Sequence, residues 1–291
     1  MKTAGSSLRN AMTVDVEDYY QVSAFEKYIP QGEWPTYPQR IVESTRRILD
    51  ILAESDTRAT FFILGWVAER YPHLVREIAA ANHEIGLHSC AHRLIYEMSP
   101  EEFRRDVRNG LSLLQDILGS AVVSFRAPSF SITQASLWAL EILVEEGIRY
   151  DSSIFPIYHD RYGIPGGKTE IHTIKTPAGP LHEFPPSVVR FFGKNLPVSG
   201  GGYFRLYPYG LSRFCLRLIN RKERRPFMFY VHPWEVDPEQ PRLLFGSRVT
   251  RFRHRVGLRR TEGKLRRLIR DFPFGGMREV MDDFLGEQAA S

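Results

Sequence analysis

Only two cysteines occur in 291 residues, Cys90 and Cys215, far apart and outside any CxxC spacing. Neither a disulfide framework nor a thiolate zinc site is implied, and a reducing compartment fits. MKTAGSSLRNAMTVDVEDYY at the start contains no apolar leader, and no apolar run approaches the length of a membrane span. A cytoplasmic protein is therefore expected. No zinc-finger spacing, RRM-type aromatic motif or heptad-linked basic region accompanies the arginines, so nucleic acid is not expected as a partner. Internal repeats and low-complexity tracts are missing. So is a GxSxG nucleophile motif, since SGGGY at 199–203 lacks it.

What is present reads as a folded globular chain, with 43% hydrophobic and 25% charged residues. The formal charge of +5 is concentrated late, in Arg221, Lys222, Arg224, Arg225 and the arginine-rich run from Arg248 to Arg260. A solvated basic face is the plain reading of that run. Docking to an anionic membrane surface, the inner membrane, or to a biosynthetic complex is the other.

Strand and helix signals alternate along the chain. Asn10–Val16, Ala59–Leu64, Glu84–His88, Val122–Arg126, Ile148–Asp151 and Phe227–Val231 read as short buried strands. Between them lie helical runs, of which the one after Ser99 is marked most clearly: an N-cap serine, Pro100 at the first helical position and Glu102 three residues after the cap. Such alternation predicts a parallel α/β barrel, distorted and of about seven strands, whose chemistry gathers at the C-terminal strand ends. Residues 1–240 are expected to form the catalytic domain, with loops and hairpins inserted at about 163–210. Residues 241–291 are expected to form a basic helical extension packed on or beside the barrel.

Four predicted strand ends carry polar groups: Asp15, Glu17 and Asp18 in VDVED, His88 and His92 in LHSCAH, Arg126 in FRAPSF and His232 in YVHPWE. Each has an ordinary explanation alone, whether a solvated loop, a satisfied histidine or a surface ion pair. Together they form a metal-site inventory, because two imidazoles four residues apart with a carboxylate suit Zn²⁺ and leave a coordination position open. A metal so held activates water for amide hydrolysis near neutral pH.

These motifs, in this order and with an aspartate in YDSS between the arginine and the last histidine, resemble the polysaccharide deacetylases that share the NodB homology domain. The resemblance covers roughly residues 10–240. DVEDYY, PVSGGGYFRLYP and RFRHRVGLRRTEGKLRRLIRDFPF resemble the branch associated with bacterial exopolysaccharide and PEP-CTERM loci. It implies a divalent metal, Zn²⁺ foremost, bound by His88, His92 and one carboxylate of the first motif, with Asp15 as general base held by Arg126. His232 would be the general acid, oriented or tuned by Asp151, and the Ser129 backbone amide would stand at the oxyanion position. Many members have two adjacent aspartates where this chain has Asp15, Val16, Glu17 and Asp18. If the strand continues, Glu17 shares the side of Asp15 and is the ligand; if the chain turns after Val16, Asp18 takes that role.

Substrate contacts are open to two readings. Gly200, Gly201, Gly202 and Tyr203, with Tyr207 and Tyr209, form either a flexible aromatic platform for sugar rings or a tight glycine turn with tyrosines over the core. Tyr230 and Trp234 either wall an acetyl pocket or pack in the core. The expected activity is N-deacetylation of an acetylated amino-sugar glycan. The alternatives are hydrolysis of a small non-sugar amide and a catalytically silent glycan-binding protein.

Overall fold

The computed structural model describes residues 8–159, 162–191 and 193–290. The first half alternates as expected: β1 (Asn10–Val16), α1 (Ile41–Ala53), β2 (Thr60–Ile63), α2 (Gly65–Arg70), α3 (Pro72–Ala80), β3 (Glu84–Leu87), α4 (Pro100–Leu118), β4 (Ser124–Phe125), α5 (Trp138–Glu145) and β5 (Tyr150–Asp151). Then follow β6 (His172–Thr176), β7 (Gly179–Glu183), β8 (Val188–Phe191), β9 (Lys194–Pro197), α6 (Gly201–Leu206), α7 (Tyr209–Arg221) and β10 (Met228–Val231). The chain continues through α8 (Arg248–Arg255), α9 (Leu258–Asp271), β11 (Phe274–Gly275) and α10 (Met277–Ala290).

Seven strands run parallel in the order β10-β1-β2-β3-β4-β5-β7. All seven residues of β1 are buried, as befits a strand covered on both faces. Helix α4 starts where its capping box predicts: Ser99 Oγ accepts from the Glu102 amide at 3.2 Å while Glu102 Oε2 accepts from the Ser99 amide at 2.8 Å. Leu87 pairs with Phe125, and Phe125 with Asp151, so His88 and Arg126, one residue further along, arrive at one level of the mouth, where Arg126 meets Ser152 rather than Asp151.

Three expectations change. The 163–210 stretch is not only inserted loops: β7 is itself a barrel strand, parallel to β5, with β6 folded back antiparallel on its outer edge. Between β7 and β10 the ring is joined by irregular chain. There Ser187 Oγ accepts from the Met228 amide at 2.9 Å, and Ser199 O accepts from the Tyr230 amide at 2.8 Å.

The glycine run is part of that seam, and no flexible platform forms. Gly200 sits at φ +142°, where a Cβ would lie 1.9 Å from Tyr230 O, and Gly201 at φ +53° presses on the Tyr230 ring. Only glycine permits both the backbone angle and the approach. Of the two readings, the tight turn is the one realised.

Finally, the C-terminal segment is more than an extension beside the barrel. Phe274 pairs with Asn10, adding β11 to β1. Met277, Val280 and Met281 of α10 are buried against Ala11, Phe62 and Met228, plugging the end of the barrel remote from the strand C-termini. Among the described residues, no helix is long and apolar enough to cross a membrane.

Candidate metal and active site

Glu17, His88 and His92 bring one donor atom each within 4.8 Å of the others, all three side chains buried. His88 Nδ1 donates to Arg126 O at 2.8 Å, which fixes the tautomer and turns the Nε2 lone pair inward. Burial pushes His88 down to about 4, so the ring is neutral and able to ligate. His92 Nδ1 rests 3.4 Å from Ser23 Oγ, and Ser23 Oγ is 2.6 Å from Ser129 Oγ. Two atoms test whether a cation belongs here. His88 Nε2 and Glu17 Oε2 are both buried without a hydrogen-bond partner, and the 2.8 Å approach of His92 Nε2 to Glu17 Oε2 lacks hydrogen-bond geometry. Orphaned donors of this kind are costly unless an ion collects them, so the residues fit a divalent metal.

The alternative left open in the first motif resolves toward Glu17. The chain turns after Val16, its Glu17 amide donating to Asp15 O at 3.0 Å, yet Glu17 still faces the histidines. Asp18 points elsewhere. Its Oδ2 accepts from the amides of Arg40 and Ile41 at 2.7 and 2.9 Å, capping α1 from a distance. Against the expectation for Asp18, its carboxylate stands outside the ligand cluster.

Asp15 lies alongside. Arg126 Nη1 donates to Asp15 Oδ1 at 2.6 Å and to Thr13 Oγ1 at 2.8 Å, while Nε and Nη2 reach Ser152 O and Oγ at 3.2 and 3.0 Å. Arg126 is fully buried, stacked over Phe62 at 4.3 Å, and this set of partners is what makes a buried guanidinium tolerable. Asp15 Oδ2 faces His232 Nε2 at 3.8 Å.

His232 is the member of this group that reaches solvent, its side chain 17% exposed against 3% for Asp15. Burial lowers its pKa, but Glu17 at 3.1 Å, Glu235 at 3.1 Å and Asp15 at 3.8 Å overturn that and raise it to about 9. A metal on Glu17 would withdraw the first of those attractions; Glu235 and Asp15 would remain.

The expectation that Asp151 tunes His232 is overturned. His232 Nδ1 and its backbone amide both meet Glu235 Oε2, at 3.1 and 3.0 Å, and Glu235 Oε1 accepts from Arg205 Nε at 2.6 Å. Burial would raise Glu235, but Arg205 and His232 hold it at about 2. An acid three residues after the histidine in HPWE was the available signal, readable as a capping box. Trp234 is buried and stacked between His232 and His254, with ring centroids 5.4 and 4.6 Å away, and Tyr230 meets His232 edge-on. Both aromatics brace the imidazole from the core. Tyr203, on α6, is half-buried beside Tyr207.

Ser129 is at the mouth, at φ +51°, followed by Phe130 at +53°; Ser89 and His92 are also left-handed. Four non-glycine residues in that region around one site mark a backbone shaped for the position of its side chains and amides.

Asp151 instead accepts from Ser153 and faces Glu183, and one oxygen of each acid has no partner unless a proton lies between them. Burial raises both carboxyls, and Asp151 raises Glu183 further. The folded pair thus keeps a proton that an unfolded chain releases above about pH 4. Its stabilisation is complete below that pH and is lost as pH rises through the folded values, about 6 for Asp151 and higher still for Glu183, which holds the shared proton longest. Glu183→Gln, which supplies a permanent donor, is expected to flatten the fall of Tm over that window. Parallel Tm curves for the two proteins would exclude the shared proton.

Comparison with known proteins gives two family matches: residues 34–146 match polysaccharide deacetylase, and residues 152–282 match a domain of unknown function (DUF3473). A peptidoglycan-N-acetylglucosamine deacetylase of Bacillus cereus is 35% identical over 101 residues, 34% of this chain and 37% of that protein. A chitooligosaccharide deacetylase of Rhizobium leguminosarum bv. trifolii is 38% identical over 64 residues, 22% of this chain and 30% of that protein. The chain thus spans about a third of the length of these curated relatives. Among solved structures, one from Mycobacterium smegmatis that carries a polysaccharide deacetylase name superposes with a TM-score of 0.66 at 19% identity, covering 98% of this chain and 93% of that one. Puue allantoinase gives 0.62 at 13% identity, with 96% and 91% covered. Both show the same barrel fold.

Proposed function

We propose that this protein, whose residues 34–146 match the polysaccharide deacetylase family model, hydrolyses the N-acetyl amide of amino-sugar units in a glycan, with a divalent metal held by Glu17, His88 and His92. One observation carries the reading: two orphaned ligand atoms, the buried Asp15 carboxylate and the His232 imidazole converge at one barrel mouth. A bound ion, for which Zn²⁺ is proposed, supplies Lewis acidity toward the acetyl carbonyl and acidifies water.

The chain's own groups divide the proton work. Arg126 occupies Asp15 Oδ1, leaving Oδ2 to accept the proton of the attacking water. The Ser129 amide is the proposed donor to the developing oxyanion. His232, its Nδ1 held by Glu235, donates from Nε2 to the departing nitrogen, so the C–N bond breaks to acetate and a free amine. Tyr203 is the proposed sugar contact. An exopolysaccharide substrate belongs to the same proposal, supported by the resemblance of DVEDYY and PVSGGGYFRLYP.

Elemental analysis of wild type and of the His88→Ala/His92→Ala double variant, beside acetate release from N-acetylglucosamine oligomers, tests this. Near-stoichiometric metal and acetate release in the wild type, both lost in the variant, are expected. Metal without acetate release would transfer the site to another amide, and no metal would remove the hydrolytic reading.

A further inference from the structure

From Pro241 to Thr261 the chain holds seven arginines and no acidic residue. None of the seven makes an ion pair with an acidic side chain among the described residues. Arg255 Nη1 is buried without a hydrogen-bond partner, and burial with Arg242 and Arg259 nearby lowers that guanidinium's pKa. The cluster is thus self-repelling, unlike Arg205 and Arg126, each neutralised by a carboxylate.

Large apolar side chains stand exposed among these charges: Leu244 at 73%, Phe252 at 60% and Val249 at 57%. Phe245 extends the patch by stacking on the exposed Tyr28 at 5.9 Å. Arg242, Leu244, Arg248, Arg251, Phe252 and Arg255 line one shallow groove. A merely solvated basic face has no use for exposed leucine and phenylalanine inside it. A nucleic-acid face would use Phe252 and the Phe245–Tyr28 stack on bases but has no use for the aliphatic Leu244 and Val249 exposed beside them, which suit a bilayer interface. A second copy is disfavoured too, because an isologous contact would set the arginines against themselves.

We propose that α8 and the preceding 242–245 segment form a docking surface for an anionic lipid bilayer, the arginines pairing with headgroup phosphates while Leu244, Val249 and Phe252 enter the interface. Its location adds meaning. His254 of α8 stacks on Trp234, which stacks on His232, and Phe25 packs edge-on against His254. The docking surface therefore borders the barrel mouth and would hold it close to the headgroups, where a lipid-anchored glycan presents its sugars. This inference does not depend on the deacetylase reading, since its readout is binding.

Sedimentation of the 291-residue chain with vesicles of phosphatidylcholine alone and with about one-third phosphatidylglycerol tests it. Binding is expected only to the anionic vesicles, falling as salt is raised and at least about tenfold weaker in both Arg248→Glu/Arg251→Glu and Leu244→Ser/Phe252→Ser. All four positions are surface-facing, so unchanged Tm serves as the fold control. No binding to anionic vesicles overturns the proposal. So does binding that survives Leu244→Ser/Phe252→Ser, which would reduce the patch to general electrostatics, and so does equal competition by a short polyanionic oligonucleotide that leaves the apolar variant unaffected.

Discussion

Asp15→Asn is expected to lower acetate release about 10²- to 10⁴-fold, with metal content unchanged. Asparagine keeps the outline of the side chain and can still face Arg126, but has no basic oxygen to accept the proton of water. Because Glu17, His88 and His92 are the residues whose donor atoms could hold an ion, Asp15 is outside the proposed ligand set, and elemental analysis separates loss of base from loss of metal. Asp18→Asn is the control: that carboxylate caps α1 through the Arg40 and Ile41 amides, so its loss should lower Tm more than turnover. An Asp15→Asn protein that keeps more than about a tenth of wild-type activity would remove Asp15 from the role of base.

Arg126→Met should be the most destabilising change at the site, by about 3–5 kcal/mol. Its guanidinium is fully buried, donates to Asp15, Thr13 and Ser152, and covers Phe62. Methionine fills much of the volume but leaves Asp15 a buried charge without its strongest partner. The decisive comparison is Asp15→Leu/Arg126→Met, which buries no ion at that position and should recover a large part of the loss while remaining inactive. Urea unfolding measures both. Equal instability of the single and double variants would show that shape, not the orphaned charge, sets the cost.

How far this was legible in the sequence depends on element length and on what each residue answers to. β1, β2 and β3 stood out because they are buried on both faces, β1 and β3 ending in polar groups as well, and α4 because its cap is written in Ser99, Pro100 and Glu102. β7 and β11 did not. β7 pairs with β6 over five residue pairs as an antiparallel hairpin and with its parallel neighbour β5 over only two, so its sequence reads as a hairpin arm, while β11, two residues long, carries no period of its own. HSCAH and Arg126 were readable as a set because strand order alone brings them together. The choice between Glu17 and Asp18 turned on one backbone turn, and residue type does not encode it. Glu235 was hidden for another reason: its partner Arg205 lies 30 residues away in a segment read as loops. The glycine triplet was ambiguous because flexibility and close approach select the same residue; the Tyr230 carbonyl decides between them.

The pairing of β1 has a consequence for how the molecule comes into being. Its neighbours include residues 228–231 and 274–275, more than 200 positions away. On a ribosome the first strand emerges long before those partners exist, so its buried faces and unpaired edge must wait for nearly the whole chain. Helices α1 to α4 can gather locally in the meantime, but the ring around β1 is completed only after Gly275 has been made. The nascent protein therefore passes through a prolonged aggregation-exposed stage, and its yield in cells should respond to chaperone supply more than its final stability would suggest.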